Sequence, residues 1–351
     1  MAAAGAGSGG AAASAPAGYP QTMRLVRSPP FGEPSVMTPV IDEVAALKAG
    51  TVLIKTAFAG VNRADTLQRK GKYAPPKGES NVLGLEVAGE IVAINSNGAE
   101  SSWSVGDRVC SLLGSGGYAE YVAAPLELLI PVPEDVPMEE AGGFPEAFLT
   151  AFQAVSYIGK LGAGETLLIH GGASGVGTAA IQLAKLLGAN VIVTASTADK
   201  LATCSSLGAD VAINYKDTDF VEEVKAATDG RGVDLVVDYV GSAYFSRNLE
   251  ALALDGRMVM LGFLSGAVVD APLSLAPILR KRLTITGSTL RTRPMAYKAE
   301  LVAGLIALAG DAWANRSLKV IVDSVYALDD VADAHSHMEA NANIGKIVLR
   351  P

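Results

Sequence analysis

The sequence predicts an α/β protein, a doubly wound parallel sheet of six strands joined to a β-rich domain. Three observations carry this. A glycine-rich turn, Gly171 to Gly177, stands between the apolar run Leu167–Ile169 and a segment whose residues Ala180, Leu183, Ala184 and Leu187 recur at helical spacing. Apolar runs then alternate with amphipathic segments as far as Ser288. Before that region, from Met23 to about Pro145, the chain reads as short strands and turns.

With 351 residues, half of them apolar, the chain fills two compact domains. The net charge of −8 argues against nucleic acid or an anionic membrane as the main partner. No run reaches the roughly 18 uninterrupted apolar residues of a membrane span. Two cysteines, Cys110 and Cys204, make no disulfide framework. They point to a thiol-reducing, cytoplasmic setting in which both pack as small apolar residues.

Residues 1–22 are almost entirely Ala, Gly, Ser and Pro. They lack the charged start and apolar centre of a secretory signal and the arginines of a mitochondrial presequence, so a disordered tail is expected there. Strands are expected at 51–59, 85–94, 107–110 and 118–122, forming a small irregular barrel. Pro131, Pro133 and Pro137 mark a connecting loop, followed by a helix over 139–158.

The glycine turn comes next. Glycines carry no Cβ, so the backbone can approach a pyrophosphate, and the helix start offers unpaired N–H groups and the positive end of its dipole. A dinucleotide is the natural ligand; a glycine-rich connection of an ordinary α/β domain is the alternative. The strict fingerprint is G-x-G-x-x-G; here Gly172 and Gly177 hold the outer places, Ser174 replaces the middle glycine and Gly175 is added.

A second strand, 190–195, follows. An NAD site would place Asp or Glu about 20 residues after the loop. The chain instead has Ala195, Ser196 and Thr197, then Lys200, and Tyr215 beyond the next strand. Hydroxyls and an ammonium suit a 2′-phosphate, which indicates NADPH. Asp199 reads as the first-turn acid of the next helix.

A strand at 211–213, a helix at 220–227, a strand at 233–238, a helix including 248–254, and strands at 257–262 and 283–288 bring the count to six. Ligands of such sheets lie beyond the strands' carboxyl ends, which nominates Gly241, Gly262, Phe263 and Ser288 as cofactor neighbours, with turn chemistry as the alternative. Arg280-Lys281-Arg282 reads as a solvated loop. A helix at 294–309, a strand at 319–322, an N-capped helix within 329–339 and a strand at 345–349 complete the chain. The return to β texture suggests that these last strands rejoin the first domain.

This order of parts resembles the medium-chain dehydrogenase/reductase superfamily. Within it the chain is similar to the zinc-independent quinone oxidoreductases, especially their tumour-suppressor-inducible branch. The resemblance rests on Gly60–Asp65 with Gln68–Tyr73, on Leu83–Glu86, Pro145–Gln153 and the glycine loop, and on Ser288–Arg293 and Met338–Lys346. It implies a GroES-like catalytic domain over 23–145 and 289–351 around a Rossmann NADPH-binding domain over 146–288. Zinc alcohol dehydrogenases of the superfamily carry Gly-His-Glu, but here Leu85 stands between Gly84 and Glu86. His170, His335 and His337 make no convincing tetrahedral set and read as surface or capping residues.

The resemblance implies hydride transfer from NADPH to a quinone, whose ring accepts hydride without a Lewis acid. It places Asn62, Asp65 and Tyr73 by the acceptor, with Tyr73 able to donate a hydrogen bond or proton and Asn62 to orient a carbonyl. Their structural alternatives are a turn residue for Asn62, a helix cap or charge partner for Asp65 and a surface ring for Tyr73. Cofactor contacts are implied for Asn62 as well, and for Thr150 beside the nicotinamide. Ser174, Gly175, Val176 and Gly177 would hold the pyrophosphate, and Thr197, Lys200 and Tyr215 the 2′-phosphate. Gly241, Gly262, Phe263, Ser288, Leu290, Asn343 and Lys346 would border the rest. Two rival roles stay open: reduction of enones and enals, and a cofactor-binding structural or regulatory role of the zeta-crystallin type. By analogy, an exposed edge strand near 283–287 would join copies into a homodimer or homotetramer.

Overall fold

The computed structural model describes residues 19–44, 47–98, 100–269 and 272–351. Of the expected tail, residues 1–18 lie outside the described residues. Its last residues belong to the body: the Tyr19 hydroxyl donates to the Val92 carbonyl, and Thr22 opens strand β1 (Thr22–Leu25), which pairs with β2 (Val40–Glu43).

A seven-stranded sheet forms the first unit. It comprises β3 (Thr51–Val61), β4 (Glu86–Asn95), β5 (Arg108–Leu112), β6 (Tyr121–Pro125) and β7 (Leu129–Pro131), closed by β14 (Val322–Ala327) and β15 (Lys346–Arg350) from the far end of the chain. All of its pairs are antiparallel except β14 with β15. The strand expected at 118–122 begins later because Tyr118 and Glu120 serve the N-terminal strap: Val26 N–H donates to the Tyr118 carbonyl and Glu120 N–H to Arg24. Helix α1 (Arg63–Arg69) follows β3 directly.

The expected helix over 139–158 is divided into α2 (Met138–Ala141), α3 (Pro145–Phe152) and a π-helical turn, Gln153–Ile158. Gly142 and Gly143 interrupt it, and Pro145 starts α3 at a position where its missing N–H costs nothing.

The second unit is a six-stranded parallel sheet of β8 (Thr166–Ile169), β9 (Asn190–Ala195), β10 (Val211–Asn214), β11 (Val233–Asp238), β12 (Leu252–Met260) and β13 (Thr284–Gly287). Its order is β10-β9-β8-β11-β12-β13, so the chain reverses direction across the sheet between β8 and β11. Such a switch point opens a crevice at the strands' carboxyl ends. Every side chain of β8 is buried, as a strand covered on both faces requires. The covering helices are α4 (Gly175–Leu186), α5 (Ala198–Ser206), α6 (Phe220–Ala227), α7 (Phe245–Ala251) and α8 (Ala276–Arg280).

The helix expected through 254 stops at Ala251. Leu252 already pairs with Val233, and the register then jumps to Leu235 with Arg257, the intervening bulge holding Asp255 at φ 61° against Arg282. Lys281, expected in a solvated loop, donates to the carbonyls of Leu249, Glu250 and Leu252 and so caps the end of α7.

Helix α9 (Met295–Ala314) packs its Leu301, Val302, Leu305 and Trp313 into the core beneath the parallel sheet, with Trp313 4.2 Å from the Phe144 ring. The chain contributes its next strand to the seven-stranded sheet at β14, but it meets that unit earlier, where Arg291 Nε donates to the Gly114 carbonyl and α9 packs against β7. The strand expected at 319–322 does not form at Lys319 because the Gln182 side chain claims that residue's N–H and carbonyl. Helix α10 (Val331–Glu339) then lies beside α1 and β15.

Candidate active site

The glycine loop sits at the switch point. Ser174 caps α4, its Oγ accepting from Gly177 N–H at 3.0 Å, and its Oγ also meets the Tyr239 hydroxyl at 2.8 Å. Tyr239 in turn donates to the Gly171 carbonyl at 2.6 Å, which holds the turn in shape. Gly177 must be glycine: a Cβ there would lie 2.5 Å from the Gly172 carbonyl oxygen and 2.6 Å from that of Gly171. The N–H groups of Gly175 and Val176, in the first turn, have no acceptor within the helix. Gly345 N–H donates to Ala173 at 2.7 Å, tying this loop to the seven-stranded sheet.

A cleft of about 500 Å³ lies along α5, walled by Ser196, Thr197, Asp199, Lys200, Tyr215 and Lys216 on one side and by Asn341, Ala342 and Ile344 on the other. The Thr197 side chain caps α5, and Asp199 occupies its first turn. Lys200 reaches across the cleft to the Asn341 carbonyl at 2.6 Å, and burial lowers its pKa.

On the other side of the loop lies a buried ionic cluster. Lys346 Nζ donates to Glu86 Oε1 at 2.7 Å, Asn62 Oδ1 at 2.6 Å and the Val61 carbonyl at 3.0 Å, so all three of its protons are used. Asn62 Nδ2 donates to the same Glu86 oxygen at 2.9 Å, and Glu146 N–H to the other at 2.8 Å. Gly60 makes room for this carboxylate, since a Cβ there would fall 2.1 Å from Glu86 Oε1.

Asp65 is fully buried and accepts from Asn62 N–H, Gly84 N–H and the Tyr118 hydroxyl. Burial raises its carboxyl to about 6. Behind it runs a directed chain. Arg69 Nη1 only donates, so His335 Nδ1 accepts, its Nε2–H points to the Tyr118 oxygen, and the Tyr118 proton points to Asp65. His335, expected at the surface or as a cap, is therefore a core residue, its pKa lowered to about 3 by burial. His170 is equally buried, between Thr194 Oγ1 and Asn248 Oδ1, with its pKa lowered to about 4 by burial. His337 is half-buried against the Tyr326 hydroxyl.

Glu146, half-buried at the start of α3, is raised to about 8 by burial and then by the neighbouring Glu86. Between about pH 4.5 and 8 the folded chain keeps a proton on it that the unfolded chain releases, so its favourable contribution to folding fades as pH rises through that window. Glu146→Gln is expected to flatten the fall in stability across that range, read from urea unfolding at several pH values. An unchanged slope contradicts the assignment.

The structure brings Asn62, Ser174, Gly175, Asn343 and Lys346 together: the Lys346 stem lies over Gly175, and Asn343 Nδ2 holds the Gly345 carbonyl. Thr197, Lys200 and Tyr215 share the cleft. Gly241 lies against Phe263, and Ser288 N–H pairs with the Met260 carbonyl at the end of β12. Gly262, Val176 and Thr150 are half-buried and Leu290 is buried. Tyr73 lies with its ring 5.2 Å from the Arg291 guanidinium, and burial raises its hydroxyl pKa.

Glu86, Glu146, Tyr239, Lys216 and Arg291 carry this site as well, but sequence reasoning gave them no role. Signals existed for two: Tyr239 directly follows β11 at the switch point, and Glu86 is a lone carboxylate opening an apolar strand.

Comparison with known proteins agrees with this layout. The profile for the alcohol dehydrogenase GroES-like domain matches residues 48–134, and that for zinc-binding dehydrogenase matches 175–306. A phenolphthiocerol/phthiocerol polyketide synthase polypeptide from Mycobacterium tuberculosis is 31% identical over 303 residues, 85% of this chain, but the match spans only 13% of that much longer protein. The probable quinone oxidoreductase of Schizosaccharomyces pombe is 30% identical over 330 residues, covering 93% of this chain and 96% of that one; the quinone oxidoreductase of Homo sapiens is also 30% identical, covering 93% and 97%. Among solved structures, a mycobacterial protein complexed with NADPH superposes with a TM-score of 0.82 at 33% identity, covering 94% of this chain and 100% of its own. A quinone oxidoreductase of Pseudomonas syringae gives 0.83 at 30% identity with the same coverage. Fold order, glycine loop and full-length relatives together show that this chain belongs to the quinone oxidoreductase family of the medium-chain dehydrogenase/reductase superfamily.

Proposed function

We propose that the protein reduces quinones with NADPH and without zinc. The observation that carries this is the cleft along α5, which presents Lys200, Lys216, Thr197 and Tyr215 together with the single carboxylate of Asp199, and has none at the end of β9. A 2′-phosphate finds two ammonium groups there. The residues fit the dinucleotide: the loop is shaped by backbone contacts that exclude a Cβ at Gly177, and Ser288 Oγ, buried at the strand ends, has no protein partner. Ser174 to Gly177 would hold the pyrophosphate, and Thr150, Gly241, Gly262, Phe263, Ser288, Leu290 and Asn343 would border the nicotinamide half. Lys346 would contribute its stem, since its ammonium is committed to Glu86, Asn62 and Val61.

NADPH, when bound, supplies a hydride. The chain's own residues hold the acceptor and keep water away. Asn62 and Asp65 serve as positioning residues, because Asn62 is spent on Lys346 and Glu86, and Asp65 on the α1 start, Gly84 and Tyr118. Tyr73 stands nearer the acceptor, with its proton retained by burial.

Both cysteines are buried and free, consistent with a reducing, cytoplasmic setting, and among the described residues no helix is long and apolar enough to cross a membrane. Strand β13 is an outer strand with one unpaired edge, where a second copy would extend the sheet into a homodimer.

Lys200→Ala is expected to weaken NADPH by about tenfold or more and NADH by much less, measured as dissociation constants by cofactor fluorescence. Equal losses for the two cofactors would remove Lys200 from phosphate recognition.

A further inference from the structure

Buried polar atoms without partners are rare in folded proteins, and a group of them marks a place that water or a ligand's polar atoms fill. Here Gln68 Nε2, Ser115 Oγ, Gln153 Oε1, Ser288 Oγ and Arg291 Nη1 are all buried and unpartnered. These residues converge on one segment. Gln153 Nε2 donates to the Thr289 carbonyl at 3.3 Å, Arg291 Nε to Gly114 at 2.7 Å beside Ser115, and Arg291 Nη2 to Gln68 Oε1 at 2.6 Å.

Arg291 is 4% exposed and Gln68 is 2% exposed. The orientation of the Gln68 amide is settled, because a guanidinium only donates: its oxygen faces Nη2, and its NH₂ remains a donor with nothing to bond. Gln68 also lines a pocket of about 170 Å³ walled by Phe31, Ala74 and Pro75, next to the turn that carries Tyr73. Among the described residues no carboxylate forms an ion pair with Arg291, although Asp65, Glu146 and Glu79 lie near enough to act on its charge.

We propose that Arg291 Nη1 and Gln68 Nε2 form the site for the oxygen of the quinone acceptor, which gains negative charge as hydride arrives. This rests on the reductase function proposed above. Hydride addition forms one C–H bond and moves a π pair onto the oxygen, the dinucleotide leaves as NADP⁺, and a proton from solvent completes the product. A fixed cation shielded from water stabilises that charge without reorganising. The Tyr73 ring beneath the guanidinium keeps it in place.

The probe is 4-nitrophenolate, a planar aromatic oxyanion, titrated into the full-length protein saturated with NADP⁺ and followed by its visible absorption. Wild type is expected to bind the phenolate. Arg291→Gln and Gln68→Glu are each expected to weaken it by about tenfold to a hundredfold, the usual worth of one charge-assisted hydrogen bond. In Gln68→Glu, NADP⁺ affinity should stay within about twofold, because Gln68 is not placed against the dinucleotide. Should Arg291→Gln fail to fold, Gln68→Glu decides, since its carboxylate removes the free donor and also pairs with the guanidinium, cancelling the charge offered to the acceptor's oxygen. Phenolate binding that both variants leave intact, or its absence in wild type, overturns the proposal. If quinones are still turned over in that case, the reductase function stands; if the variants lose phenolate while wild type reduces no quinone, the oxygen site stands and the quinone function falls.

Discussion

Gly177→Val is expected to abolish dinucleotide binding, weakening NADPH by about a hundredfold or more. The added Cβ would meet two backbone oxygens, of Gly172 and Gly171, at 2.5 and 2.6 Å. Neither is the end of a flexible side chain, so the turn itself must move. That movement breaks the Ser174 cap on Gly177 and the Tyr239 contacts with Ser174 and Gly171. The first-turn N–H groups of α4 then no longer converge on a pyrophosphate. Titration of cofactor fluorescence reads the effect, and a dissociation constant close to wild type in a folded variant would contradict this account of the loop.

Lys346→Met is expected to destabilise the fold by about 3–5 kcal/mol, the usual cost of stranding one partner of a buried ion pair. Both partners are nearly inaccessible, the side chains of Lys346 and Glu86 being 4% and 0% exposed. Glu86 would keep only the Asn62 amide and the Glu146 N–H. Adding Glu86→Gln to Lys346→Met should recover much of the loss, because the stranded charge is gone, and urea unfolding of the four proteins closes the cycle. A double variant no more stable than Lys346→Met alone would show that the lysine acts by packing against Gly143 and Gly175 instead.

The parts of the fold that are local in sequence are the ones the sequence makes legible. Helix α6 and strand β11 fall at the expected residues because their apolar periodicity and their turns lie within a few positions of one another. Boundaries are less legible where a distant side chain intervenes, as Gln182 does at Lys319 and Arg282 does at the Asp255 bulge. The same holds for the site. The glycine loop and the cleft past β9 are continuous stretches whose chemistry can be read directly. Arg291 and Gln68 meet across 223 positions, and Lys346 and Glu86 across 260, so only the folded chain shows what each is for.

Steady-state loss of NADPH absorbance tests the central claim most directly. The acceptors are 1,2-naphthoquinone, 1,4-benzoquinone and a medium-chain enone, with NADH run in parallel. The account predicts rapid oxidation of NADPH by the quinones and little with NADH or the enone. Turnover of the enone alone, or silence with every acceptor despite cofactor binding, would contradict it.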